Sequence, residues 1–437
     1  MGGGFIQLVA YGAQDIYLTG NPQITFFKYV YRRHTNFALE NINQFPIGQI
    51  KWGNKLIFNI ERKGDLLGKC YIDFYIEFKN DNKTLNLSEI KEEAFYKNSS
   101  IAKSLGHSFI DFVEIDIGGQ LIDHHSGQWL AIKSELSQNF NKRLQEVLLN
   151  GPFNNAYHLG DNVIHISVPL KFWFNSDPGL YLPLVSLQHH DVKVILKLNH
   201  KNKFILSKNV TKRTNNVVDI VIKDLNLHCD YVYLDTEERK KFAQVCHEYL
   251  IEQVQEHPGE YCQPSINQKV IPLNLNHPVK ELIWTVNNSK LAEQYGPYWS
   301  NGAEKIKTCL IQMNGVDRLP EKSGNYFRLI QKYQHHNGID LRSFIKNLVS
   351  PLFNNSTSIS NDLPITQLDI FSYSFALKPD ELQPSGSCNF SRLDNAILKI
   401  SFQNNSEDND SFNVRVFATN YNVLRIKAGM GGLAYSN

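Results

Sequence analysis

Three adjacent histidine pairs, His124-His125, His189-His190 and His335-His336, are the residues whose type and spacing first invite chemistry. Imidazole moves protons near neutral pH and ligates zinc. On a strand, however, neighbouring side chains point to opposite faces, so an adjacent pair cannot bring both rings to one ion as a His-x-His spacing would. The pairs are expected to be surface or loop histidines, with no metal. The six cysteines, Cys70, Cys229, Cys246, Cys262, Cys309 and Cys388, are scattered without a Cys-x-x-Cys pair. That pattern suits reduced thiols and neither a disulfide framework nor a zinc site. No Gly-x-Ser-x-Gly, His-Glu-x-x-His or P-loop pattern occurs, so no catalytic residue and no cofactor is expected. The glycines of MGGGF and GMGGL do not sit between a strand and a helix, and they read as flexible arms, not phosphate loops.

Asparagine carries a second chemistry. With 45 Asn and 42 Ser plus Thr, chance gives about four Asn-x-Ser/Thr acceptor sites. Ten occur, at Asn82, Asn86, Asn98, Asn209, Asn287, Asn354, Asn355, Asn389, Asn404 and Asn409. They read either as a glycosylated outer surface or as turn-forming Asn-Ser pairs in an Asn-rich chain. Asn82, Asn86 and Asn98 are the best placed for N-glycosylation, because residues 79–108 read as a long polar loop on the solvent side.

Composition removes several classes. The 437 residues carry 45 Lys plus Arg against 43 Asp plus Glu, with no long basic run. A protein that grips phosphate backbone usually carries a basic stripe, so nucleic acid is not expected as a direct partner. Apolar runs are strand-sized and broken by Lys, Asp or Asn, short of the roughly 20 residues of a spanning helix. Residues 1–14 lack the basic start and apolar stretch of a secretory signal, and Ile6 stands where a myristoylation signal needs Ser or Thr. The chain is therefore expected to be made and kept in the cytosol.

The elements that must position these residues are mostly strands. Cys70, Ile72, Phe74, Ile76 and Phe78 alternate with Lys69, Tyr71, Asp73, Tyr75 and Glu77. The same period of two runs through 164–170, 192–198, 398–402 and 412–416. Such strands separated by turn-rich stretches point to antiparallel sandwiches. Two segments differ. Leu130, Leu136, Phe140, Leu144, Val147 and Leu148 fall at helical spacing over 126–149, ending at Asn150-Gly151-Pro152. Residues 236–245, TEERKKFAQV, read as a short helix linking two halves.

The halves look alike. Pro178 to Leu198 and Leu382 to Phe402 each place a Pro/Gly loop, a Ser-containing approach and an Asp before an alternating strand. Ile117 to Asp123 resembles Met313 to Leu319, each a Gly-centred hairpin turn. Both pairs lie about 200 residues apart, which argues for two copies of one sandwich.

Longer blocks carry a more specific likeness: GFIQLVAYGAQDIYLTGNPQITFFKYVYRRHTNFA at the start, then FNSDPGLYLPLVSLQHHDVKV, YLDTEERKKFAQVCHEYLIEQ, LNLNHPVKELIW, MNGVDRLPEKSGNYF, SFALKPDELQPSGSCNFSRLDNAILKI, and NYNVLRIKAGMGGLAYSN at the end. In these, and in order over essentially the whole chain, the sequence resembles the major capsid proteins of large nucleocytoplasmic DNA viruses, in particular the chlorella-virus (phycodnavirus) type. The resemblance implies an all-β double jelly roll, two eight-stranded antiparallel sandwiches side by side. Three chains would form a trimeric, pseudo-hexameric capsomer tiling an icosahedral shell. It further implies an N-terminal arm over residues 1–26, a first jelly roll over 27–235, a helical linker over 236–246 and a second jelly roll over 247–437. Implied partners are its own copies in a homotrimer, neighbouring capsomers, and minor capsid and penton proteins. An internal viral membrane would lie nearby without being spanned. The place of work would be the virion, after synthesis in the host cytoplasm. The family's chlorella-virus members carry glycans outside the ordinary acceptor sequence, which weakens the Asn motifs as guides. Because a jelly roll also serves lectins and cupin-like metalloenzymes, a carbohydrate-binding or cell-attachment protein is the alternative reading.

Overall fold

The computed structural model describes residues 8–10, 12–80, 83–84, 104–150, 163–205, 218–264, 266–288, 305–338, 369–403 and 411–435. The chain divides into two units, Met1–Asn36 and Phe37–Asn437. In the first, the helical turn Ile16–Thr19 buries none of its residues. The Asp15 carboxylate accepts from the backbone N–H of Gly12 at 2.8 Å, just ahead of the helical turn.

Among the described residues of the second unit, sixteen principal strands, with a few two- to four-residue strands beside them, make two sandwiches. The first contains β1 (Phe37–Gln44), β2 (Lys55–Asn59), β3 (Leu66–Asn80), β4 (Ile110–Ile117), β5 (Gln120–Ser126), β6 (Val163–Pro169), β7 (Val192–Leu198) and β8 (Val218–Leu234). The second contains β9 (His247–Cys262), β10 (Gln268–Pro272), β11 (Pro278–Asn288), β12 (Ile306–Met313), β13 (Val316–Asp317), β14 (Ile370–Ser374), β15 (Ala396–Phe402) and β16 (Phe412–Lys427). All their pairings are antiparallel. One sheet of the first sandwich runs β1-β8-β3-β6 and the other β2-β7-β4-β5. The second sandwich repeats them as β9-β16-β11-β14 and β10-β15-β12-β13. Each strand thus has its counterpart eight strands later, which is the topology of a double jelly roll.

The repeat extends to detail. Leu182–Pro183 pairs with the start of β3 at Leu66 and Leu67, and Cys388–Asn389 pairs with the start of β11 at Pro278 and Val279. Each then makes one 3-10 turn, Leu184–Ser186 or Phe390–Arg392, before entering β7 or β15. The β4–β5 and β12–β13 hairpins both turn on two residues with positive φ, Gly118-Gly119 and Asn314-Gly315. That is the hairpin geometry whose twist matches the strands.

Alternation is what divides inside from outside. Cys70, Ile72, Phe74, Ile76 and Phe78 of β3 are buried in one core, with Val192, Val194, Leu196 and Leu198 of β7 facing them. Leu398, Ile400 and Phe402 of β15 and Phe412, Val414 and Val416 of β16 lie in the second core.

Among the described residues, the helices that decorate the sandwiches include α1 (Leu105–Phe109), α2 (Gly127–Ser137), α3 (Phe140–Asn150), α4 (Thr236–Gln244) and α5, a π turn Tyr326–Ile330 running into Gln331–His335. The single helix expected over 126–149 is two. Asn139 breaks it, because its side chain accepts from the backbone N–H of Lys142 at 3.1 Å and so caps a new helix. The expected apolar stripe is also only half right. Leu144 and Leu148 are exposed, while α3 buries Arg143, Glu146, Val147 and Asn150.

Two further expectations are corrected. Residues 104–108, placed in a solvent loop, are buried as the start of α1. The GMGGL glycines, expected in a flexible arm, form a hairpin, Lys427↔Met430, closed by Ala428-Gly429 at positive φ. It is seated against the first sandwich. The backbone N–H of His189 donates to Gly429 O at 2.9 Å, and a Cβ on Gly429 or Gly431 would stand 2.6 Å from His189 or Leu187. Glycine is required there by close approach.

Candidate functional site

Chemistry-bearing side chains collect at three places, of which the first is beneath α1 and α3. Ser104 Oγ lies 2.9 Å from His107 Nδ1, and His107 Nε2 lies 3.5 Å from Glu146 Oε1. This is the composition of a Ser-His-carboxylate triad. A nucleophile needs access to substrate, however, and His107 is wholly buried. Glu146 is committed elsewhere too, accepting from Ser134 Oγ at 2.6 Å and from Lys171 Nζ at 3.1 Å. Burial pulls the His107 imidazole below its ordinary range. Burial pushes the Glu146 carboxyl up, but Lys171, His107 and Arg143 outweigh it and hold the group well below its usual value. With Arg143 paired to Glu135, the arrangement is an internal ion network that ties α1 and α3 to the sandwich.

The second place is the seam between the sandwiches. α2 is buried on every side. Leu130 enters the first core, while Trp129, Ala131, Ile132 and Leu136 cover Ile283, Ile370 and Phe417 on the outer face of the β9-β16-β11-β14 sheet. Polar groups fill the margins. Gln128 Nε2 donates to Thr285 Oγ1 at 2.9 Å, and Arg415 donates to Gln128 Oε1 at 2.8 Å and Glu256 Oε2 at 3.1 Å. At the far end of α2, Ser137 Oγ donates to Asp380 Oδ1 at 2.7 Å. Burial pulls the Lys133 ammonium down, yet Glu252, Glu281 and Asp380 outweigh it and keep the group above its ordinary value.

The histidine pairs, expected at the surface, divide between surface and interior. His125 is buried with Nε2 2.9 Å from Asp123 Oδ2. The His336 ring is buried with Nε2 and Nδ1 each 3.3 Å from a carboxylate oxygen, of Glu281 and Asp380 respectively. On β5 neighbouring side chains diverge, so His125 turns inward; His336 turns inward where α5 ends, and each buried ring lies against a carboxylate. Among the described residues no group of three His, Cys, Asp or Glu could hold a metal ion.

The third place is the outer face of the β1-β8-β3-β6 sheet. Asp73 is buried there. Its Oδ2 lies 2.8 Å from His165 Nε2 and 3.1 Å from His228 Nε2, and its Oδ1 accepts from Ser167 Oγ at 2.6 Å. Tyr71 stacks flat on His228 and Tyr75 on His165, each with ring centroids 4.8 Å apart. The alternation of β3 marks Asp73 only as a position facing away from the core. Its signal, an acid between two tyrosines on one strand face, has no meaning until β6 and β8 bring in the histidines.

Of the glycosylation candidates, Asn82, Asn86 and Asn98 lie outside the described residues, as do Asn209, Asn354, Asn355, Asn404 and Asn409. Asn287 is half-buried within β11. Asn389 is exposed, with Oδ1 accepting from the backbone N–H of Ser391 at 3.0 Å. A groove of about 620 Å³ beside Trp52, Lys51 and His200 is the place a sugar could enter. The Trp52 ring is occupied, however, packed against Phe109 and Phe204 at 4.8 and 4.6 Å, so it offers no platform for stacking.

Comparison with known proteins agrees with the topology. A family model described as major capsid protein N-terminus matches residues 25–235. One described as large eukaryotic DNA virus major capsid protein matches residues 238–341 and 355–432. The chain is 41% identical to the major capsid protein of Pyramimonas orientalis virus and 35% identical to that of Paramecium bursaria Chlorella virus 1, in both cases over 100% of each chain. It superposes on the PBCV-1 VP54 crystal structure fitted into a reconstruction of the virophage Sputnik with a TM-score of 0.74, at 32% identity, covering 94% of this chain and 100% of that one. The Faustovirus major capsid protein, at 11% identity and a TM-score of 0.69, covering 96% of this chain and 95% of that one, shares the fold.

Proposed function

The chain belongs to the large eukaryotic DNA virus major capsid protein family, and from that premise we propose that it works by assembly, three copies closing into a pseudo-hexagonal capsomer of the virion shell. The observation that carries this reading is the internal repeat. Two sandwiches of one topology, joined by an extensive seam, supply two of the six positions of a pseudo-sixfold ring, and a cyclic trimer supplies the rest. The polypeptide then divides into an arm over residues 1–26, jelly rolls over 27–235 and 247–437, and a helical linker over 236–246. Its partners are neighbouring capsomers and minor capsid and penton proteins, its synthesis is in the host cytoplasm, and an internal viral membrane lies near without being crossed. It performs no catalysis; the Ser104–His107–Glu146 contact serves folding. Asn82, Asn86 and Asn98 are the proposed glycan sites, tested by peptide mapping of particles.

Size-exclusion chromatography with mass detection tests the assembly reading. A heat-resistant trimer supports it, and a stable monomer at micromolar concentration overturns it. Retention on a glycan column by a monomer would favour the carbohydrate-binding alternative.

A further inference from the structure

We infer that α5 of one copy docks on the Tyr71/His228 and Tyr75/His165 face of the first sandwich of a second copy, repeating between chains the contact that α2 makes within one. The inference rests on the trimer reading and names its interface. α2 and α5 occupy the same position in the repeat, each in the connection that follows the fifth strand of its sandwich. Each sends one fully buried side chain into its own core, Leu130 from α2 and Phe327 from α5. With those anchors aligned, Ile132 and Leu136 of α2 correspond to Leu329 and Tyr333 of α5.

Ile132 and Leu136 are buried on the second sandwich. Leu329 and Tyr333 are 52% and 90% exposed, with Ile330 beside them at 46%. The receiving surfaces correspond in the same way. Ile283 pairs with Phe417 across β11 and β16 beneath Trp129, and Tyr71 pairs with His228 at the equivalent place on β3 and β8. Within one chain the step from sandwich to sandwich is taken once. Taken again, it leads to another copy, and the ring closes only when α5 finds a first sandwich.

Charge agrees with the pairing. Residues 326–338 contain no carboxylate and carry Arg328, Lys332 and His335, while His336 is taken up by Glu281 and Asp380 of its own chain. The outer face of β3 and β8 carries Asp73, Glu77, Asp219, Asp224 and Asp230 against Lys69, Lys79 and Lys223. Tyr333 is exposed on one partner and the half-buried Tyr-His stacks lie on the other; aromatic side chains are the type enriched at buried interface cores.

A photo-crosslinking phenylalanine analogue placed at position 333 tests this, using the full chain and a mixture of isotopically heavy and light protein. Irradiated trimers are expected to give heavy–light crosslinks to peptides from β3, β6 or β8, and Tyr333→Asp is expected to weaken trimerisation at least tenfold while Val316→Asp does not. Trimers whose crosslinks map elsewhere overturn the inference and leave the trimer reading standing. Protein that never trimerises overturns both.

Discussion

Trp129, on the helix leaving the first sandwich, lies with its ring 5.7 Å from that of Phe417 in the second, the two planes tilted by 32°. This contact makes one folding unit of two sandwiches. Trp129 is 2% exposed, and truncating a buried tryptophan costs about 3–5 kcal/mol. Trp129→Ala is therefore expected to lower stability by that amount in guanidinium unfolding and to split one transition into two. A single transition with a loss under about 1 kcal/mol would show that the seam is held elsewhere.

The same seam titrates. Burial pushes the Asp380 carboxyl up, but His336, Lys133 and Ser137 outweigh it and hold it at about 2 against an ordinary 3.8. A depressed carboxylate stabilises the fold above its unfolded value, and that contribution is lost as pH falls through the folded one. Stability should thus drop by about 2 kcal/mol between about pH 4 and pH 2. Asp380→Asn should remove this part of the acid dependence. An unchanged profile in thermal melts across that window counts against the assignment.

The β4–β5 turn separates conformational strain from close approach. Gly118 and Gly119 both have positive φ, but a Cβ on Gly118 would stand 2.4 Å from the His190 ring, whereas Gly119 faces open space. His190 Nδ1 lies 2.9 Å from Gly431 O, so the ring is not free to yield. Gly119→Ala should cost about 1 kcal/mol and Gly118→Ala distinctly more. Equal melting shifts for the two would contradict the geometry.

Replacing residues 85–103 by a short Gly-Ser bridge should change stability by no more than about 1 kcal/mol, because loop closure depends weakly on length. Extending the replacement through residue 108 removes buried Leu105 and His107, and should cost at least about 3 kcal/mol. Chemical denaturation of both variants decides whether the boundary at Ser104 is real.

Deleting residues 1–22 should leave the trimer intact and impair shell assembly. The deletion lies wholly within the unit Met1–Asn36, ahead of the first sandwich strand at Phe37. Loss of soluble trimer in chromatography would place the arm within the fold.

The period of two in β3, β7, β15 and β16 was legible from the sequence because inward and outward side chains alternate in chemistry wherever one face meets a core and the other meets water. So was the repeat, since hairpin turns such as Gly118-Gly119 and Asn314-Gly315 need residues tolerant of positive φ. What the tertiary structure decided is where polar groups go when both faces are covered. Arg143 and Glu146 read as the solvent side of α3 and are its buried side, because Glu135 and Lys171 arrive from other elements to pair with them. Asp73 and His336 acquired their partners in the same way, from strands and loops distant in sequence. A local pattern records which residues avoid water. It does not record which charge will be delivered by another strand to make burial affordable, and that information exists only once the sheets are assembled.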